Sequence, residues 1–426
     1  MHIFLSFLIS VYTPRCVFFF KFAFIETLWY NNLVRIMGVI TEMELYIYNN
    51  IENDDCIRGI LEKKNTVIMR KIIEFAELFG VTKSSIREYV VTLLANDDNV
   101  LSQIAQSGGE IGSDLYKIAL FDIDQIYDKL FPASIKYTPS DNSHGFFDEY
   151  KKSITKMTES KNSTELLDNL ILHYKTLGSG VLSRYTAFKY DGTLEGISQI
   201  EDVTFDTLVG LDYQKQILID NTESFLDGKR ANNVLLFGDR GTGKSSSVKA
   251  LLNMYADKGL RLIEIPKHCI RDIPKLSKAL SEKPNKYILF LDDLSFETHE
   301  AEYRALKIAM EGQLRATPDN VLIYATSNRR HLIRETWADR QGGEVHLNDQ
   351  MQETLSLSER FGISLVFSAP NQKEYLNIVK EMLKGYNIEM NGDIEKAAVV
   401  WQMNYGGRSP RCAKQFVTSY ISKGEK

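Results

Sequence analysis

The segment "GDRGTGKS" sets Gly238, Gly243, Lys244 and Ser245 at the spacing GxxxxGK[ST], straight after the apolar run "NVLLF" and at the head of "SSSVKALLN", which has helical periodicity. In that context glycines let main-chain N–H groups turn inward around phosphate oxygens, and the positive end of the following helix adds to the attraction. The binding candidates are therefore Gly238, Asp239, Arg240, Gly241, Thr242, Gly243, Lys244, Ser245 and Ser246. Lys244 is spaced to reach the β- and γ-phosphates of a nucleotide, and Ser245 to ligate Mg²⁺. A glycine-rich turn with a chance lysine would lack the partners that follow.

Those partners come in order. In "YILFLDDLSFE" two acids close an apolar strand, and a carboxylate at a strand tip can hold Mg²⁺, so Asp292 is the second metal candidate. Asp293 is next in line to orient or deprotonate an attacking water, a task more often given to the longer glutamate. Glu297 is a second candidate, against the plainer reading of a solvated loop acid. The run "NVLIYATSNRR" ends in Thr326, Ser327 and Asn328, a polar tip that can contact the γ-phosphate or the lytic water. Arg360 in "LSLSERFGI", and Arg408 and Arg411 in "NYGGRSPRCAKQF", are cations suited to stabilise charge on a transferring phosphoryl group. Each of the three is equally open to a role in a surface ion pair.

Elements of alternating type must position these groups. The β-type runs at 232–238, 260–266, 286–293, 320–328 and 363–370 alternate with stretches of helical period. That alternation predicts a parallel sheet covered on both faces, a three-layer α/β/α core over residues 201–370. Residues 371–426 read as a helical lid, residues 37–175 as a mainly helical front domain, and residues 176–200, which mix Gly, Ser and aromatics at no helical period, as a connector.

Composition excludes several classes. Of 426 residues, 44% are hydrophobic and 25% charged, which rules out collagen-like or wholly disordered chains. Cys16, Cys56, Cys269 and Cys412 form no CxxC pair, so neither a zinc site nor a disulfide framework is expected, and a reducing cytoplasm suits them. Residues 37–200 carry 17 Lys+Arg against 24 Asp+Glu, whereas residues 201–426 carry 31 of each. An acidic front half matches nucleic acid poorly. The stretch "EFAELFGVTKSSIREYVVTL" nevertheless places Ala76, Gly80, Val81 and Ile86 as a helix-turn-helix would, with Arg87 available to DNA; two packed helices joined by a glycine turn are the alternative.

The first 36 residues are apolar and aromatic but lack a basic start and a small-residue cleavage site, and Pro14, Arg15 and Lys21 interrupt them. They read as an over-extended gene start with Met37 or Met43 as initiator, or as a membrane-associated segment, or as a buried helix or disordered stretch.

Glycine loop, paired acids, polar strand tip, arginine before the final strand, then a helical bundle with Gly-Gly-Arg: this order resembles the AAA+ ATPases. The resemblance implies ATP and Mg²⁺ as cofactors, a homo-oligomer and a macromolecular client. It also implies that Val209 and Gly210, with Leu211, enclose the adenine, that Asn328 is sensor 1, Arg360 the arginine finger and Arg408 sensor 2, with Arg411 as the reserve for that last role. More narrowly, "ANNVLLFGDRGTGKSSSVKALLN", "GLRLIEIPK", "FLDDLSFE", "YATSNRRHL" and "LSLSERFG" look like the bacterial ATPases grouped as domain of unknown function 815, from about Ser183 to Ile421. The paired-Asp form belongs to that resemblance, while Pro410 departs from it. An ATP-gated switch with little hydrolysis, and a DNA-associated ATPase, are the rival functions.

Overall fold

The computed structural model describes residues 43–79, 85–133, 147–295, 301–311, 318–328 and 360–424. The readings made on residues 1–36, Gly80, Val81 and Glu297 lie outside them. Among the described residues no helix is long and apolar enough to cross a membrane.

The front domain is built of helices: α1 (Asp55–Leu61), α2 (Asn65–Phe79), α3 (Ser85–Asn96), α4 (Val100–Gln106), α5 (Ser113–Leu130), α6 (Asp148–Thr158) and α7 (Ser163–Thr176). Apolar residues three and four apart give each helix one buried stripe, as with Ala119, Ile123, Ile126 and Leu130 of α5, and the stripes share one core. Asp122 lies within the α5 stripe and is fully buried. Its carboxylate accepts the N–H groups of Tyr46 at 3.0 Å, Ile47 at 2.7 Å and Tyr48 at 3.1 Å, which straps the chain ahead of α1 onto the bundle. Ala76 and Ile86 are both core residues. Arg87 donates to the Phe131 carbonyl at 2.9 Å and covers the Phe131 ring at 5.3 Å, an engagement within the bundle.

A buried histidine in this bundle makes stability depend on pH. His173 is 1% exposed, and burial pushes its imidazole down to about 4. Its Nδ1 sits 2.9 Å from Ser153 Oγ, and Nε2 has no hydrogen-bond partner among the described residues. The unfolded chain takes up this proton near pH 6.5 and the folded chain does not, so the contribution is complete above pH 6.5 and is lost as pH falls towards 4. The loss totals about 3 kcal/mol. Chemical denaturation of wild type and His173→Gln should show their stability difference narrowing by about 2 to 3 kcal/mol between pH 7 and pH 4.5; a difference independent of pH would contradict this.

The core sheet contains β1 (Ala187–Tyr190), β2 (Leu194–Ile197), β3 (Val234–Gly238), β4 (Leu260–Glu264), β5 (Lys286–Leu291), β6 (Val321–Ser327) and β7 (Ile363–Phe367). Their order is β2-β1-β4-β5-β6-β3-β7, parallel throughout except for the antiparallel β1–β2 hairpin at one edge. The five strands expected from the sequence are all present. The hairpin is additional and falls in the segment read as a connector. Its strands have only four residues each, two per face, too few to display an alternation.

Side-chain alternation along the strands makes two cores. Leu235, Phe237, Ile263, Leu289, Leu291 and Ile323 face α11 (Ile273–Leu280) and α12 (Ala301–Glu311), with Leu182 of the short α8 (Val181–Arg184) packed on the same side. Val234, Leu236, Leu262, Phe290, Leu322 and Leu365 face α9 (Asp212–Leu226) and α10 (Lys244–Tyr255). Three layers result, as the alternation of elements predicted. A separate bundle of α13 (Gln372–Lys384), α14 (Gly392–Asn404) and α15 (Pro410–Gly424) closes on its own core around Tyr375, Val379, Leu383 and Phe416. Asn371 and Glu374 form a capping box that starts α13, each side chain accepting the other's backbone N–H.

The front domain rests against the edge of the sheet where the parallel strands begin. Asn285, just ahead of β5, donates to the Leu177 carbonyl at 3.2 Å, and Gln106 Oε1 accepts from Ser179 Oγ at 3.2 Å. Arg261 of β4 is fully buried there, over the Phe147 ring at 4.8 Å and donating to the Ala256 and Leu260 carbonyls at 3.0 and 2.9 Å. Burial lowers its guanidinium to about 10.

Candidate functional site

The opposite edge, where the parallel strands end, carries the groups singled out in the sequence. β3 ends at Gly238, whose φ of +132° is open to glycine and strained for other residues. A side chain there would also run into the Phe367 carbonyl of β7. That carbonyl accepts the Asp239 N–H at 2.9 Å, and the Asp239 carboxylate accepts the Ala369 N–H at 2.7 Å, so the loop is anchored to the end of β7. No sequence signal marked that anchor. Thr242 braces the loop from inside, its hydroxyl donating to the Asp239 carbonyl at 2.7 Å.

Helix α10 starts at Lys244, and the first amide with a helical acceptor is that of Ser247, which donates to Gly243 O at 2.8 Å. The amides of Arg240, Gly241, Thr242, Gly243, Lys244, Ser245 and Ser246 therefore have no backbone acceptor among the described residues. A run of free N–H groups at the positive end of a helix is an anion cradle.

Lys244 is 7% exposed and donates to the Gly238, Asp239 and Asn328 oxygens at 3.0, 2.6 and 3.1 Å. Burial lowers its ammonium below the usual lysine range; the nearby Asp293, Asp239 and Asp292 carboxylates oppose that shift, and Arg411 adds to it. Ser245 Oγ lies 2.7 Å from Asp292 Oδ1. These ligand atoms are hard oxygens only, which suits Mg²⁺. The same Asp292 oxygen accepts from Thr326 Oγ1 at 2.5 Å. Asp293 has φ +52°, a left-handed conformation that costs a non-glycine residue roughly 1 to 2 kcal/mol. In that conformation its carboxylate accepts from Asn328 Nδ2. Lys244, Asn328 and Asp293 thus form one hydrogen-bonded line across the ends of β3, β6 and β5.

The remaining expected residues divide into those near the loop and those away from it. Gly210 has φ +80° and is exposed; Val209 packs on the lid core, and a side chain at Gly243 would meet Leu211 at 3.1 Å. Arg411 N donates to the Gly241 carbonyl at 3.3 Å, and a side chain at Gly241 would meet Arg411 Cβ at 3.0 Å and Ser409 Oγ at 3.3 Å. Arg408, two residues beyond Gly406, is exposed. The arginine held in reserve for this position is therefore the one against the loop. Pro410 explains why: it is the first residue of α15, where a missing N–H is harmless, and it brings Arg411 into the first turn beside the loop.

Arg360 stands at the other end of the sheet. It precedes β7, whose first residue pairs with Val234 at the start of β3 while Gly238 pairs with Phe367 at its end. Four strand steps of about 3.3 Å, ~13 Å in all, separate the start of β7, which Arg360 precedes, from its end beside the loop.

Residues 183–424, more than half of the chain, match the family model described as Protein of unknown function (DUF815). No curated protein matches the chain. Among solved structures it is similar to the RuvB Holliday junction branch migration motor of Thermotoga maritima, at 16% identity and a TM-score of 0.34, over 50% of this chain and 61% of that one. It is similar to the Aeropyrum pernix ORC1 protein solved in complex with DNA, at 16% identity and a TM-score of 0.35, over 51% of this chain and 61% of that one. AMPPCP-bound DnaA from Aquifex aeolicus gives 17% identity and a TM-score of 0.36, over 51% and 63%. The chain spans less than two thirds of the length of each.

Proposed function

This chain belongs to the DUF815 family of proteins of unknown function, and from that premise we propose that it is a Mg²⁺-dependent ATPase of AAA+ type that couples hydrolysis to work on a macromolecular client. One observation carries the reading: the free amides of the glycine loop, Lys244, the Ser245–Asp292 pair and the Asp293–Asn328 pair converge on the ends of three adjacent strands. Few chemistries need an anion cradle, a hard-cation site and a carboxylate held beside an amide in one place.

The loop amides receive the phosphates, and Lys244 turns from its carbonyl partners to the β- and γ-oxygens. Ser245 and Asp292 would hold Mg²⁺, which when bound neutralises charge on the phosphate oxygens. Asp293 orients the attacking water and draws off its proton, with Asn328 fixing the carboxylate and facing the γ-phosphate. Arg411 stands over the loop as the lid's cation, and Val209 and Gly210 border the adenine. The distance of Arg360 from its own loop supports a role on the nucleotide of an adjoining subunit, in a head-to-tail assembly. Positioning and charge stabilisation supply the catalysis.

Asp293→Asn should bind ATP at near wild-type affinity while kcat falls about a hundredfold or more, the usual scale for losing a general base. Single-turnover hydrolysis and nucleotide titration measure the two quantities separately. A slow wild type with no further loss in the variant would instead identify a nucleotide-gated switch. The ATP-loaded variant is also the form with which to trap a client.

A further inference from the structure

Thr326 is the next-to-last residue of β6 and is 1% exposed. Its β-branched shape suits a buried strand, but a buried hydroxyl must be satisfied. Its Oγ1 is satisfied twice: it donates to Asp292 Oδ1 at 2.5 Å and accepts the Asp293 N–H at 2.8 Å. A hydroxyl has one proton, and an ionised carboxylate can only accept, so the direction of both bonds is fixed. Asp292 Oδ1 is also the oxygen that faces Ser245.

The pairing of β5 with β6 reaches Leu291 and Ala325, and the acids lie beyond it. Past that point the tip of β6 holds the chain after β5 by further bonds, Leu294 N to Thr326 O at 2.7 Å and Ser327 Oγ to Leu294 O at 2.8 Å. The left-handed Asp293 lies between the Asp292 and Leu294 attachments, and such a conformation persists only where the surroundings over-determine it.

We infer that Thr326 is a positioning residue for the hydrolytic site: through one hydroxyl it sets the direction of both acids, Asp292 towards Ser245 and Asp293 towards Asn328. The inference rests on the ATPase reading above. It adds a residue that touches neither nucleotide nor metal and acts by aligning the two groups that do, where small misplacements reduce rate strongly. Replacing the hydroxyl by a methyl group keeps the strand's packing, leaves the Asp293 N–H only its longer bond to Asp292 Oδ1 at 3.2 Å and frees Asp292 to rotate.

The test compares wild type, Thr326→Val and Thr326→Ser in steady-state hydrolysis of MgATP, in ATP binding without metal, in Mg²⁺ titration and in thermal unfolding. For Thr326→Val, kcat should fall roughly 30- to 100-fold and the Mg²⁺ concentration for half-maximal rate should rise, while metal-free ATP affinity stays within about threefold. Thr326→Ser, which keeps the hydroxyl, should recover most of kcat. Wild-type kcat in Thr326→Val, or a loss that serine does not recover, overturns the positioning role while leaving the ATPase reading in place. A wild type that hydrolyses no ATP overturns both.

Discussion

Lys244→Ala is expected to lower ATP affinity about a thousandfold, or roughly 4 kcal/mol, in a fluorescent-nucleotide or calorimetric titration. The figure follows from two charge-assisted bonds to phosphate at roughly 2 kcal/mol each. In the structure Lys244 occupies the floor of the loop on three oxygen acceptors. Nucleotide offers it a charged acceptor in their place, so the change in electrostatic energy is large and falls on binding. The melting temperature should move little, because the Asp239–Ala369 and Asp239–Phe367 bonds still hold the loop to the end of β7 and β6 stays paired with β3 and β5. An unchanged affinity would remove the phosphate-binding assignment and every role that depends on it.

Arg360→Ala should lower kcat by about three orders of magnitude, the range for a cation supplied to a transferring phosphoryl group, with ATP affinity close to wild type. Since Arg360 lies at the far end of β7 from its own loop, this defect should be complemented between chains. Mixing Arg360→Ala with Lys244→Ala subunits regenerates sites with an intact loop from the first and an intact arginine from the second. Activity should therefore appear on mixing two inactive proteins and rise with protein concentration. A strictly monomeric wild type, active and indifferent to Arg360→Ala, would contradict the assembly.

Legibility in the sequence followed the range of the interaction. The glycine loop, both acids and Asn328 were readable because each is a local pattern whose neighbours in the chain dictate its geometry: strand, turn, helix start, strand tip. The central strands were readable because five or more residues give enough alternation or apolar run to recognise. The β1–β2 hairpin was not, since its place comes from pairing with β4, more than seventy residues away. Nor could spacing choose between Arg408 and Arg411. The structure puts Arg411 against the loop because Pro410 starts α15 and α15 approaches Gly241 across the site. Asp122 and Arg261 look like surface residues by type. Asp122 is buried because backbone groups from a distant segment surround it, and Arg261 because, beyond the nearby Ala256 and Leu260 carbonyls, an aromatic ring of the front domain covers it. No local pattern carries that information.

The Arg411–Gly241 bond, together with Val209 seated on the lid's core, ties the loop to the terminal bundle from two sides. Such a tie obeys reciprocity: if filling the cradle favours one tilt of the bundle, then imposing that tilt from outside must tighten or loosen the grip on nucleotide by the same factor. A neighbour or client that leans on the bundle would in this way adjust how long the fuel is retained, without touching the pocket.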